Sequence, residues 1–130
     1  MHVAPSSARL LSMRRTVLIV DDHAAFRSAA RAVLEASGFE VVGDAGDGRS
    51  AVAAARSLGP AIVLLDVQLP DIDGFAVAER LGEIEPPPAI VLTSSRSVAS
   101  YRRRLAERSD WSFIPKSELS GEAVAAAVSG

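Results

Sequence analysis

Three aspartates, two hydroxyl residues and a lysine stand at the ends of short apolar runs in this 130-residue chain. Asp21 and Asp22 follow Thr16 to Val20, and Asp66 follows Ala61 to Leu65. Thr93 and Ser94 follow Ala89 to Leu92, and Lys116 comes just after Trp111 to Ile114. Carboxylates crowded at one place repel one another unless a cation sits among them. Magnesium resolves this, because it prefers oxygen ligands and leaves positions for the oxygens of a phosphoryl group. A hydroxyl and an ammonium aimed at the same point suit the negative charge of that group and stabilise its transfer. The lysine stands alone against thirteen arginines, which points to a place where a compact charge on a thin stem fits and a planar fork does not.

That chemistry requires the four run ends to meet. Runs rich in Val, Ile and Leu alternate with Ala-rich segments carrying apolar residues at helical spacing, the pattern of α/β architecture. The first strand is expected at Thr16–Val20, followed by a helix with Phe26, Ala30, Val33 and Leu34 on one face and a stop at Gly38. A strand at Glu40–Gly43 leads to a helix with Val52, Ala55 and Leu58 inward, broken by Gly59 and Pro60. Ala61–Leu65 is continuously apolar, as a central parallel strand buried on both faces should be. A helix with Phe75, Ala78 and Leu81 follows, then a strand at Ala89–Leu92 after Pro86 to Pro88. Val98, Tyr101 and Leu105 mark a fourth helix, Trp111–Ile114 a fifth strand, and Leu119–Val128 a last helix capped by Ser120. Right-handed crossovers turn five such strands into a doubly wound parallel sheet with helices on both faces, whose crevice lies at the C-terminal strand ends.

Composition narrows the partners. With 14 basic against 16 acidic residues and a net charge of −2, no global positive field attracts nucleic acid or an anionic membrane. The longest apolar runs fall far short of the ~20 residues that cross a bilayer. Cysteine is absent, so neither a disulfide nor a thiolate metal site can form. Residues 1–12 read as a flexible extension before a single domain at 13–130, with Met13 a natural alternative start.

Four segments together carry a resemblance: LIVDDH at 18–23, LLDVQLPDIDGF at 64–75, IVLTSS at 90–95 and FIPKSEL at 113–119. The chain resembles the receiver domain of two-component response regulators, and DDHAAFR with FIPKSEL leans towards the subfamily often joined to a helix-turn-helix output domain. The resemblance implies a flavodoxin-like sheet of order 2-1-3-4-5 and a cytoplasmic signalling switch rather than an enzyme. A sensor histidine kinase or phosphotransfer protein is the implied partner, with no membrane and no direct nucleic-acid contact. It implies that Asp66 is the phosphoacceptor, that Asp21, Asp22, Asp66 and the backbone carbonyl of Gln68 hold magnesium, and that Lys116 contacts the phosphoryl group. Thr93 is the implied switch hydroxyl and Phe113 the aromatic that follows it. Homodimerisation or partner binding through the face of helix four, strand five and helix five is the expected readout. Such a chain is either a stand-alone regulator or a receiver cut from a longer protein.

Departures and competing readings stand beside this. Ser117 follows Lys116 where the family commonly has a cis proline, and Phe113 lacks the hydroxyl of the commoner tyrosine. Asp71, Asp73 and Gly74 spell the DxDG of haloacid-dehalogenase-type phosphatases, yet no strand precedes Asp71 directly, so a turn with both carboxylates solvated is expected. A small magnesium-dependent phosphatase, or a receiver-like module that binds without phosphorylation, are the alternatives. His23 reads as a loop residue starting the first helix, since magnesium disfavours imidazole. Arg102 to Arg104, near Arg96 and Arg108, read mostly as a solvated face, and Trp111 as a packed or half-exposed ring.

Overall fold

Branched aliphatic side chains fit a pleated surface that is covered on both faces, and each apolar run becomes a strand. In the computed structural model, which describes residues 15–129, these are β1 (Thr16–Val20), β2 (Glu40–Ala45), β3 (Ile62–Asp66), β4 (Ala89–Ser94) and β5 (Trp111–Pro115). The expected extension at 1–12 and the alternative start at Met13 lie outside the described residues. Between the strands run α1 (Ala24–Ala36), α2 (Gly48–Leu58), α3 (Gly74–Leu81), α4 (Arg102–Ala106) and α5 (Gly121–Ser129). The sheet has the order β2-β1-β3-β4-β5 with every neighbouring pair parallel. This is the doubly wound topology the alternation predicts.

Alternate side chains along each strand feed two cores. Val17 and Ile19 of β1 join Ile62, Leu64 and Val91 beneath Ala30 and Leu34 of α1 and Val124 of α5. Leu18 and Val20 join Val63, Leu65 and Leu92 beneath Ala51, Ala55, Phe75, Ala78 and Leu81 of α2 and α3. β3 is buried along its whole length, so Asp66 is delivered from a rigid central position. Gly59, at φ 58°, closes α2 in the left-handed conformation with its amide on the Ala55 carbonyl. The Ser120 hydroxyl accepts from the Ala123 amide at 3.0 Å and starts α5 as expected.

Three residues expected on buried helix faces are exposed: Val33, Leu58 and Val98. Val33 precedes Leu34 and is turned about 100° from it. Leu58, in the last turn of α2, lies over β2, its Cδ1 2.8 Å from where a Cβ on Gly43 would stand. The fourth helix is split, because Val98–Tyr101 forms a 3-10 turn ahead of the short α4. β2 runs past Gly43 to Ala45, with an irregularity that steps over Val42 between Val17 and Leu18 of β1.

Candidate functional site

β1, β3, β4 and β5 end at one crevice. Asp21 continues β1 by donating its amide to the Ala45 carbonyl at 3.0 Å, which sinks its carboxylate completely. Its Oδ1 accepts the His23 amide at 2.8 Å. Asp22, half-exposed, faces outward, and His23 Nδ1 lies 3.0 Å from both Asp21 Oδ1 and Asp22 Oδ1.

At the end of β3 the Asp66 carboxylate is buried. Its Oδ1 accepts the Gln68 amide at 3.0 Å, and its Oδ2 lies 3.3 Å from Lys116 Nζ. The same ammonium is 2.5 Å from Asp21 Oδ2 and 4.5 Å from the centroid of the Phe26 ring. Asp21 Oδ2 is held through this ion pair, without a well-angled hydrogen bond. Thr93 is the register partner of Asp66, is fully buried, and its Oγ1 has no hydrogen-bond partner. The next hydroxyl, Ser94 Oγ, is engaged with Tyr101 Oη at 3.1 Å and with the Arg96 amide at 3.0 Å.

Burial pushes the Asp66 carboxyl up to about 6; the negative charge of Asp21 adds to this, against the Gln68 amide and Lys116. Burial also pushes Asp21 upward, but its bonds to Lys116 and His23 outweigh it, so its carboxyl titrates below the ordinary range. For Lys116 burial favours the neutral amine, and the two carboxylates overcome it to hold the ammonium charged. Asp21 and Lys116 therefore form a charged pair, with Asp66 the least settled charge of the three.

One ligand atom from each of Asp21, Asp22, His23 and Asp66 lies within 4.8 Å of the others. Three carboxylates suit a hard divalent cation, and the buried, unpartnered Thr93 hydroxyl beside them fits a pocket that receives a further polar group. His23 takes the N-cap position of α1, as the sequence suggests, but its imidazole also touches both carboxylates. Gln68 is placed beside Asp66 by its own amide. Phe113 pairs with Leu92 across β4 and β5, its ring centroid 5.7 Å from that of Tyr101.

The DxDG segment departs from expectation, because neither carboxylate is simply solvated. Asp71 Oδ1 accepts the Gly48 amide at 2.7 Å and its Oδ2 the Arg49 amide at 3.1 Å, capping α2 from another loop. Asp73 accepts the Phe75 amide at 2.7 Å and caps α3. Gly74 has no room for a side chain, since a Cβ there would meet the Asp66 carbonyl and stand 2.6 Å from Val67 Cα. An aspartate directly before a helix is a readable N-cap signal; the capping of α2 by Asp71 is not local. The arginines also divide. Arg102, Arg103 and Arg104 are all exposed, as expected, and Arg104 also stacks over Phe75 at 4.0 Å and reaches Asp73 at 3.3 Å. Arg108 stacks over the half-buried Trp111 at 4.0 Å and pairs with Glu79 and Asp110. Among the described residues, the cis peptide bond is Glu85–Pro86, away from Lys116, and no helix is long and apolar enough to cross a membrane.

The model of the response regulator receiver domain family matches residues 17–128. A transcriptional regulator of Pseudomonas aeruginosa is 35% identical over 111 residues, 85% of this chain and 54% of its own length. The transcription regulator BvgA of Bordetella pertussis is 33% identical over 115 residues, 88% of this chain and 55% of its own. The chain thus spans about half the length of these curated relatives. The solved receiver domain of the response regulator NarL from Mycobacterium tuberculosis superimposes with a TM-score of 0.74 at 29% identity, over 88% of this chain and 97% of that one. Sheet order, the acidic crevice and the family match over nearly the whole described chain agree, and the protein belongs to the response regulator receiver domain family.

Proposed function

We propose that this chain is a phosphoacceptor switch in which Asp66 takes a phosphoryl group from a phosphohistidine on a sensor histidine kinase or phosphotransfer protein. The observation that carries the reading is the convergence of Asp21, Asp66, Thr93 and Lys116, with Lys116 Nζ at 2.5 and 3.3 Å from the two carboxylates. A carboxylate oxygen of Asp66 attacks phosphorus, the P–N bond breaks, and its electron pair returns to the imidazole nitrogen. Lys116, close to Asp66, meets the charge of the transferring oxygens, and the Thr93 hydroxyl has a free bond to offer one of them. Asp21, Asp22, Asp66 and the Gln68 carbonyl would hold magnesium, which when bound supplies charge neutralisation on the phosphoryl oxygens.

The receiver unit runs over 13–130 after a short extension, acts in the cytoplasm, and catalyses only its own phosphorylation and dephosphorylation. Thr93 and Phe113 carry the switch towards the face of α4, β5 and α5, where homodimerisation or partner binding is the expected readout. A phosphatase built on Asp71 and Asp73 is disfavoured because both carboxylates are committed to capping helices. A binding module without phosphorylation is disfavoured by the full set of reactive groups at the strand ends. Intact mass after incubation with a small phosphodonor and magnesium decides the matter. The wild type should gain one phosphoryl group and Asp66→Ala none; an equal gain in both, or no gain in either, refutes the reading.

A further inference from the structure

We propose that Arg27 is a positioning residue for the acidic pair, fixing the main-chain path of the β1–α1 turn on which Asp21 and Asp22 stand; the inference rests on the metal-binding reading of that pair. Arg27 lies in the first turns of α1 with its side chain 22% exposed. Its Nη1 donates to the Asp21 carbonyl at 2.6 Å, and its Nε donates to Asp44 Oδ2 at 3.3 Å on β2. One planar cation therefore ties the peptide between Asp21 and Asp22 to the neighbouring strand through charge-assisted bonds.

The Asp21 amide also reaches β2, at the Ala45 carbonyl, but among the described residues the peptide carbonyl between Asp21 and Asp22 has its side-chain partner in Arg27. The N-cap of α1, His23, makes no side-chain bond to the helix amides. The His23 amide bonds to the Asp21 carboxylate itself, an oxygen the cation site also draws on. The Arg27 bond uses the carbonyl and takes up no carboxylate oxygen of Asp21 or Asp22. The guanidinium also runs close to the β2–α2 turn, where a Cβ on Gly46 would stand 3.4 Å from Nη1. A lysine carries its charge on one nitrogen and cannot make the two-pronged contact.

Charge and positioning predict opposite signs for removal of this side chain. By Coulomb's law alone, losing a cation near the carboxylates should tighten magnesium binding. Loss of an outer partner that orients a ligand residue should instead weaken it, typically 10–100-fold.

Titration calorimetry with magnesium on the whole chain, alongside urea denaturation, separates the two. Arg27→Met should lose about tenfold in affinity, and Arg27→Lys, with its charge intact, should also bind more weakly than wild type. If Arg27→Met binds magnesium as well as wild type or better, while Asp22→Ala binds weakly, the acidic pair stands and the positioning role is overturned. If Asp22→Ala also binds like wild type, the metal-binding reading itself fails, and this inference with it. Should Arg27→Met not fold, Arg27→Lys decides alone, and wild-type affinity in that variant refutes the proposal.

Discussion

Replacing Asp66 with asparagine should make the metal-free chain more stable near neutral pH. The carboxyl is raised from its ordinary 3.8 to about 6, chiefly by burial. On unfolding it returns to water and to the lower value, so between the two the unfolded chain is ionised while the folded chain holds its proton. The cost to the fold therefore grows as pH rises from about 4, and is fully present above about 6. At 1.36 kcal/mol per decade this gap amounts to about 3 kcal/mol. Relaxation of the folded chain around the charge offsets part of it, leaving about 1–2 kcal/mol. Asparagine keeps an oxygen to accept the Gln68 amide and brings no charge. With a urea slope of ~1–3 kcal/mol per molar, its midpoint in chelator at about pH 7 should rise by roughly 0.5–1 M. The gain should shrink as pH falls and nearly vanish at about pH 4. Added magnesium should stabilise the wild type and leave Asp66→Asn unmoved. Coincident midpoints at neutral pH, or a gain equally large in acid, would refute the electrostatic reasoning.

Asp71→Ala should speed amide exchange at Gly48 and Arg49 more than elsewhere. Its carboxyl is held below the ordinary range, first by the Gly48 amide, so wild-type protection there should persist at neutral pH and fade only as acid protonates the group. Gly74→Ala should displace the β3–α3 loop against the Asp66 carbonyl and Val67; it should lower both the urea midpoint and the magnesium affinity, and an unchanged pair of values would show that the close approach is not needed. Lys116→Arg should keep the charge but slow labelling by a small phosphodonor, because the wider guanidinium does not fit between Asp21 and Asp66 as the ammonium does; labelling at the wild-type rate counts against that argument.

What the sequence shows best is what is local and repetitive. β3 and β4 are continuous Val, Ile and Leu runs closed by Asp66, Thr93 and Ser94, and a chain alternating such runs with helices has few ways to wind, so the strand ends and the groups upon them were readable together. The sheet order came with the resemblance rather than from periodicity. Contacts between distant segments were not readable. Asp71 reads as a solvated turn residue because the amides it caps lie more than twenty residues earlier. Arg104 is solvated as read, but its contacts, and the partial burial of Arg108, were not readable because Phe75, Glu79 and most of their other partners belong to different elements. Leu58 reads as core by its spacing, but it covers the edge strand near the rim, where water still reaches it. Arg27 closes the DDHAAFR segment, but its role was not readable, since the carbonyl and the Asp44 carboxylate it reaches are set by the fold.

The two adjacent hydroxyls at the end of β4 give the resting chain a built-in bias. Ser94 is bonded to Tyr101 and to the Arg96 amide, which ties the strand end to the loop that follows. Thr93 Oγ1 is buried without a hydrogen bond from the protein, and a buried hydroxyl left so costs about 1–3 kcal/mol. That cost is borne only until an acceptor oxygen comes within reach. In the proposed switch, relief of that cost by a phosphoryl oxygen would favour the rearranged packing by roughly five- to 150-fold. In that proposed switch one hydroxyl would act as a stop and its neighbour as a preloaded spring, so the side chain of least apparent use in this structure would set how far the balance tips.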